Sequence, residues 1–364
     1  MARRDYTVGV IGLGFGRAHI PAFQANGCRV VAVCQRDRTK AQSVADRYAV
    51  EGVYDRWEDL LGKARPEIVV IATPPYTHKA IALAAFAQGA HVLCEKPIAL
   101  TAADAKEILE AARSADRTAM TGFNWRFPAA FQRFHQMVAD GFLGRLLHVQ
   151  VRWLGGRFVD EATPITWRMD RDEAGMGAMG DAGVHAIDFV RWNFGEIVRV
   201  AAQVSTAHPS RTVADGSKPI DTEDVCQFIA ELGSGGQASF AISRVARGAN
   251  EQTMEAYGTS GGLRYALPRD VPRWWRGQLH ATTGPHGSFQ SVPAKPVVPR
   301  SAGEGELPDV IGKTTIAPLV KRFLAGIRAK ESPSPSLEDG WRAQLVLDAV
   351  NRAAATRTWQ DVGS

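Results

Sequence analysis

Cysteine is scarce, and its spacing follows no known pattern of pairing. Cys28, Cys34, Cys94 and Cys226 are the only four, they lie far apart and mostly inside apolar strand-like runs, and no C-x-x-C or Cys/His ligand spacing occurs. They read as reduced core residues rather than zinc ligands or a disulfide framework. Long hydrophobic runs are missing too: no stretch approaches the ~18 apolar residues that suggest a membrane span. The N-terminus, Met-Ala-Arg-Arg-Asp, passes directly into a strand-like segment without the apolar core of a secretion signal. The expectation is a cytoplasmic protein that does not enter a membrane. Basic clusters are also lacking. The formal charge is +5, but Lys and Arg interleave with Asp and Glu, and no basic run carries interspersed aromatics. Nucleic acid is therefore not an expected partner, and a mixed solvated surface or a small anionic ligand accounts for the charge. No internal repeat or low-complexity tract is present.

The 364 residues, 45% of them hydrophobic, are enough for two domains with sizeable cores. Over the first hundred or so residues, short β-branched runs alternate with helix-period segments. The strand-like runs are 6–12, 28–34, 67–73 and 90–96, followed by 118–124. Helices are expected over 17–26, 37–49 with Asp37 as N-cap, 55–63, 77–88 with Thr77 as cap, and 101–115 with Thr101 as cap. Continuous apolar strands separated by helices imply a parallel sheet covered on both faces. After about residue 125 the pattern changes to long strands at 146–156, 197–206, 223–244 and 251–267. Hairpin turns are expected at Gly233-Ser234-Gly235-Gly236 and Thr259-Ser260-Gly261-Gly262. Residues 268–310 are rich in Pro, Gly and Ser and read as a long loop, and 312–356 returns to helix. This predicts an α/β fold: a dinucleotide-binding type of parallel sheet covered on both faces over 1–124, then a domain over 125–364 built on a large, mostly antiparallel sheet, with C-terminal helices free to pack back toward the first.

Three short stretches carry chemistry. In "VGVIGLGFGRAH", Gly12 and Gly14 follow a strand and precede a helix, where glycines let backbone amides approach a pyrophosphate. The third glycine of G-x-G-x-x-G is replaced by Arg17, and Gly16 comes one residue early. At the end of the second strand an acidic residue would bond the ribose hydroxyls of NAD. Gln35 stands there, followed by Arg36, which could pair with a 2′-phosphate, so the reading favours NADP over NAD. Glu95-Lys96-Pro97 follows the apolar run 91–94, a position that suits a surface turn and, equally, a ligand site at a strand's carboxyl end. In "GDAGVHAID", a helix from Asp181 onward would carry Asp181, His185 and Asp188 on one face, approached through Gly175, Gly177, Gly180 and Gly183. A helical His beside a carboxylate is usually structural, though proton transfer from a hydroxyl requires the same pair.

With "ATPPYTH" (72–78), "CEKPIAL", "GFNWRF" (122–127), "TWRMD" and "SLEDGWRAQLVLDAV", these stretches follow an order and spacing that resemble the Gfo/Idh/MocA family of nicotinamide-dependent oxidoreductases nearly end to end. The resemblance implies a Rossmann first domain and a dehydrogenase or reductase acting on a sugar, inositol or related polyhydroxy compound, in a homodimer or homotetramer. It implies that Lys96 stabilises a developing alkoxide, that His185 exchanges the hydroxyl proton, and that Asp181 binds substrate and orients the pair. Gly12, Leu13, Gly14, Phe15, Gly16, Gln35, Arg36, Thr73, Pro74, His78, Glu95, Lys96, Asn124, Trp167 and Arg168 would contact NAD or NADP, and Arg126 would join Lys96, Asp181 and His185 at the substrate. Two other outcomes follow from the same resemblance: a cofactor-retaining lyase, epimerase or glycoside hydrolase, and a non-catalytic nicotinamide-binding sensor. The glycine turn, Gln35 and the 268–310 segment with adjacent Trp274 and Trp275 depart from the family's common form. The two tryptophans suit loop packing better than a sugar platform.

Overall fold

A computed structural model of the chain describes residues 6–213, 216–295 and 298–363. Two compact units are present, one comprising Met1–Phe127 with Val298–Arg342, the other Pro128–Val297 with Ala343–Ser364. The first unit thus ends near the expected 124/125 boundary but takes back a segment that had been assigned to the second.

In the first unit six parallel strands lie in the order β3-β2-β1-β4-β5-β6: β1 (Thr7–Ile11), β2 (Arg29–Cys34), β3 (Gly52–Tyr54), β4 (Ile68–Ile71), β5 (His91–Cys94) and β6 (Ala119–Thr121). The order reverses between β1 and β4, the switch point at which open α/β sheets bind ligands. Ile68, Val69, Val70 and Ile71 are all fully buried. Burial contributes about 1.5–3 kcal/mol for each such side chain, so β4 is the stiff centre of the sheet. Asp37 and Thr101 cap helices Arg38–Tyr48 and Ala102–Ser114 as expected, accepting from the amides of Lys40 and Asp104. Thr77 does not cap: its hydroxyl donates to Pro74 O at 2.9 Å and lies 2.6 Å from Thr73 Oγ1. The helix expected over 17–26 opens as a 3-10 turn, Gly16–Ala18, and becomes α only over His19–Ala25. That expected over 55–63 is one α turn, Trp57–Asp59, widened to a π turn at Leu60–Ala64.

The segment from Val298 belongs to this unit because it satisfies the exposed edge of β6. Thr121 N donates to Pro335 O at 2.9 Å and Ala119 N to Ser332 Oγ at 3.1 Å. Gly312 lies so close to the first helix that a Cβ there would fall 2.3 Å from Ala18 O.

The second unit contains a nine-stranded sheet, ordered β16-β15-β14-β13-β7-β12-β11-β8-β17. Its strands are β7 (Leu146–Gly155), β8 (Ile197–Ser205), β11 (Val225–Leu232), β12 (Gln237–Ser243), β13 (Asn250–Gly258), β14 (Gly262–Pro268), β15 (Gln278–Thr282), β16 (Gln290–Ser291) and β17 (Gln360–Asp361). All neighbours are antiparallel except β7 and β12. Strands β7, β11 and β12 alternate buried and more exposed residues, as a sheet with one packed face requires. Helices Ala129–Ala139 and Val184–Phe194 contribute aromatics to the core, where the Phe131 ring lies 4.1 Å from Phe189 and 4.8 Å from Tyr265. A separate hairpin pairs β9 (Ser210–Val213) with β10 (Gly216–Pro219). Residues 268–310 are not simply a loop: they supply β15 and β16 at the sheet edge and a 3-10 turn, Trp274–Arg276. Trp274 and Trp275 meet edge to face at 6.2 Å, both half-buried. Among the described residues no helix is long and apolar enough to cross a membrane.

Candidate active site

At the end of β1 the chain turns sharply. Gly12 has φ +90°, and a Cβ there would lie 2.5 Å from the carbonyl carbon and oxygen of Ala72, beyond β4. Only glycine combines that conformation with that approach. Gly16 is closed in the same way, with a Cβ falling 2.8 Å from the Ala72 methyl. It therefore meets the close-packing need that the missing third glycine usually serves, one residue early and through the 3-10 turn. Gly14 differs. No heavy atom lies within 4 Å of where its Cβ would be, and it is exposed. A closed first glycine, an open second and a closed third are what a dinucleotide's phosphates need in order to approach the backbone. Leu13 is buried under the turn and Phe15 is half-buried beside it. Gln35 continues β2, its amide bonded to Tyr54 O at 3.1 Å, and Arg36 after it is exposed.

The ends of β1, β4 and β5 lie side by side, with Ile11 opposite Ile71 and Ile71 opposite Cys94. Half-buried Thr73 and Pro74 follow β4, and Glu95 and Lys96 follow β5. The glycine turn, the 73–78 segment and the Glu95-Lys96 turn are thus neighbours at one edge. His78 is fully buried, its Nε2 2.9 Å from Thr73 O. A carbonyl only accepts, so Nε2 carries the proton and Nδ1, 3.5 Å from Cys94 Sγ, is the acceptor. Burial holds this imidazole below its ordinary pKa, against the opposing influence of Thr73 O and Glu95. Glu95 is buried and Lys96 half-buried. One Glu95 oxygen accepts from His19 Nε2 at 2.8 Å and the other from Lys96 N at 3.3 Å. A Cβ on Gly122 would fall 2.7 Å from that carboxylate, so a side chain there would have to displace Glu95.

Asn124 and Arg126 are more enclosed than expected. Asn124 is 1% exposed and donates to Thr315 Oγ1 at 2.8 Å. Arg126, expected to meet substrate, is also 1% exposed and donates to Ser334 Oγ at 2.7 Å and Asp339 Oδ1 at 3.3 Å. In this arrangement it ties residues 334–339 to the first unit.

In the second unit a π turn, Met179–Gly183, precedes the regular helix, which begins at Val184 rather than at Asp181. Glu223 draws the segment wide: its carbonyl accepts from Ala178 N and its carboxylate from Met179 N, both at 2.9 Å. A Cβ on Gly177 would fall 2.0 Å from Glu223 O, so that glycine accommodates a second backbone rather than a ligand. The wide turn takes Asp181 out of the straight i, i+4 relation with His185 and leaves its carboxylate 35% exposed. Arg168 Nε lies 3.4 Å from Asp181 Oδ1, and the Arg168 guanidinium sits 4.3 Å above the half-buried Trp167 ring. Arg244, paired with Asp224 at 2.6 Å, pins the Arg168 carbonyl. His185 is buried and stacked on Trp153 of β7, with centroids 5.2 Å apart and planes 14° apart. Asp188 is fully buried in the helix.

Sequence reasoning missed three neighbours. Trp153 lies on β7 and Arg269 just beyond the end of β14, and the Arg269 guanidinium lies 5.6 Å from the Trp153 ring. Burial pushes Arg269 down to about 10, opposed by the charge of Asp181. Asp181 therefore feels two arginines, and the His185 imidazole lies on the Trp153 platform. His19 was visible in the Gly-Arg-Ala-His stretch, but no local signal pointed to Glu95.

Comparison with known proteins shows the family. The model of the oxidoreductase family, NAD-binding Rossmann fold, matches residues 6–123, and the GFO/IDH/MocA C-terminal domain matches 131–264. An uncharacterized oxidoreductase of Synechocystis is 31% identical over 98% of this chain and 95% of its own length. Levoglucosan dehydrogenase of Pseudarthrobacter phenanthrenivorans is 29% identical over 99% of this chain and 98% of its own. The solved structure of a levoglucosan dehydrogenase with NADH superposes with a TM-score of 0.89 at 29% identity, covering 99% of this chain and all of that one.

Proposed function

The chain belongs to the Gfo/Idh/MocA family of NAD(P)-dependent oxidoreductases, and from that premise we propose that it moves a hydride between a nicotinamide and a secondary alcohol or ketone of a sugar, inositol or related polyhydroxy compound. The observation that supports this reading is that open Gly14, Thr73 and Lys96 each follow one of the adjoining strands β1, β4 and β5. Levoglucosan dehydrogenase and inositol 2-dehydrogenase, both relatives, are named for cyclic polyhydroxy compounds, which supports the substrate class.

The nicotinamide, when bound, supplies the hydride acceptor or donor. The amides around Gly12 and Gly14 hold phosphate, and Gln35 and Arg36 hold the adenosine ribose. Because Gln35 carries no charge to repel a 2′-phosphate and exposed Arg36 can pair with one, the site favours NADP over NAD. Lys96 Nζ stabilises the oxygen that becomes an alkoxide. The His185 imidazole takes the hydroxyl proton during oxidation and returns it during reduction, supported from below by Trp153. Asp181, held by Arg168, accepts from a substrate hydroxyl and fixes the substrate's orientation. The test is to follow nicotinamide absorbance with both cofactors across aldoses, keto-sugars, inositols, anhydrosugars and sugar acids. Turnover with at least one cyclic polyol, and tighter binding of NADPH than NADH, are expected. Cofactor binding without turnover of any of them would overturn the reading.

A further inference from the structure

The reaction outlined above leaves several fully buried ionisable groups without a role, His19 among them. His19 lies in the Gly-Arg-Ala-His stretch that closes the glycine turn, is 0% exposed, and reaches across 76 residues of sequence to Glu95. A carboxylate accepts, so Nε2 carries the proton and donates at 2.8 Å. Nδ1 is buried and meets no hydrogen-bonding partner among the described residues. The Phe15 ring, from the glycine turn itself, stands edge-on to the imidazole at 6.1 Å and 80°. Glu95 has little freedom of its own: Lys96 N holds one oxygen, and the carboxylate occupies the space that a Cβ on Gly122 would take. A buried carboxylate stripped of a donor must find another or move. The residue that moves with it is Lys96.

We propose that His19 is a positioning residue: by holding the Glu95 carboxylate it fixes the Glu95-Lys96 turn against the glycine turn, and so sets where the Lys96 ammonium stands. The inference rests on the role given to Lys96 above. A misplacement of about 1 Å at a catalytic group can cost about a hundredfold in rate, so a lock on the residue before Lys96 acts on turnover rather than on cofactor affinity.

The full-length protein is compared with H19M, which keeps bulk but removes the donor, and H19Q, which keeps a donor at similar reach, alone and combined with E95Q. H19M is expected to lower kcat about tenfold or more while the NADPH Kd, read by fluorescence, stays within about threefold. H19Q recovers most of the loss, and E95Q costs nothing further in the H19M background. Unchanged kcat in H19M, an H19Q as impaired as H19M, or additive losses in the double variant would each overturn the proposal. Should H19M not fold, the ring N–H resonance of ¹⁵N-histidine-labelled protein decides: it is assigned by its loss in H19Q and must shift in E95Q, and an unshifted resonance overturns the lock. A wild-type protein inactive on every polyol sinks the functional reading alone, because the same resonance still reports whether His19 holds Glu95.

Discussion

The two sheets position chemical groups in different ways. In the first unit parallel strands end together, so Gly12, Thr73 and Glu95, which follow β1, β4 and β5, become neighbours through register alone. In the second unit the strands run mostly antiparallel and offer no common end. Asp181 and His185 stand on a π turn and the helix after it, Trp153 rises from within β7, and Arg269 follows β14. A parallel sheet collects functional residues by topology, whereas this mixed sheet collects them by side-chain packing. Damage should therefore differ in kind between the two.

The sharpest trial of that contrast removes from each unit the group proposed above to act on the substrate oxygen. K96M and H185N should both leave NADPH affinity nearly intact while turnover falls by about 10²–10⁴-fold. A loss confined to one of them, measured by steady-state kinetics, would mean that only one unit contributes to the chemistry.

Glycine substitutions probe the next level. G177A drives a Cβ to 2.0 Å from Glu223 O and should cost about 3 kcal/mol or more in urea unfolding. G14A meets nothing within 4 Å, so it should unfold like wild type yet bind NADPH about tenfold more weakly. Equal stability for the two would break the distinction between a packed glycine and an open one.

Within the first unit, Q35D places a carboxylate where it would repel a 2′-phosphate, and the NADPH Kd should rise about tenfold relative to NADH, or roughly 1.4 kcal/mol. An unchanged ratio would remove Gln35 from cofactor choice.

The smallest effect concerns His78. Its folded pKa lies below the ordinary imidazole value of 6.5 because burial disfavours the charged form. The unfolded chain therefore binds a proton that the folded one refuses, and stability present above pH 6.5 is lost as pH falls toward the folded value. H78Q should flatten that acid-side decline in urea midpoints measured between pH 7.5 and 5. A parallel decline in both proteins would exclude His78 as its source.

These contrasts also explain which features could be read from the chain alone. The glycine turn and Glu95-Lys96-Pro97 stood out because β-branched runs mark strands, and in a parallel sheet function follows the strand. Asp37 and Thr101 were readable as caps because capping is local. The π turn was not, because Glu223, more than 40 residues on, draws Ala178 and Met179 to itself. Strands β15 and β16 were hidden by Pro and Gly around short edge segments whose pairing is supplied by β14. Arg126 looked like a cleft residue because only the fold shows Ser334 and Asp339 meeting it.

The return of Val298–Arg342 to the first unit bears on synthesis. A ribosome releases the first 127 residues with β6 lacking Pro335 and Ser332 as acceptors for its amides, and with Arg126 lacking Asp339. The dinucleotide-binding half emerges before residues 298–342 and cannot complete its edge until they have followed. A fragment cut after Phe127 would carry an open strand and a buried arginine without its carboxylate, so the smallest self-sufficient form of this unit is discontinuous, and an expression trial of the Rossmann half must splice residues 298–342 back on.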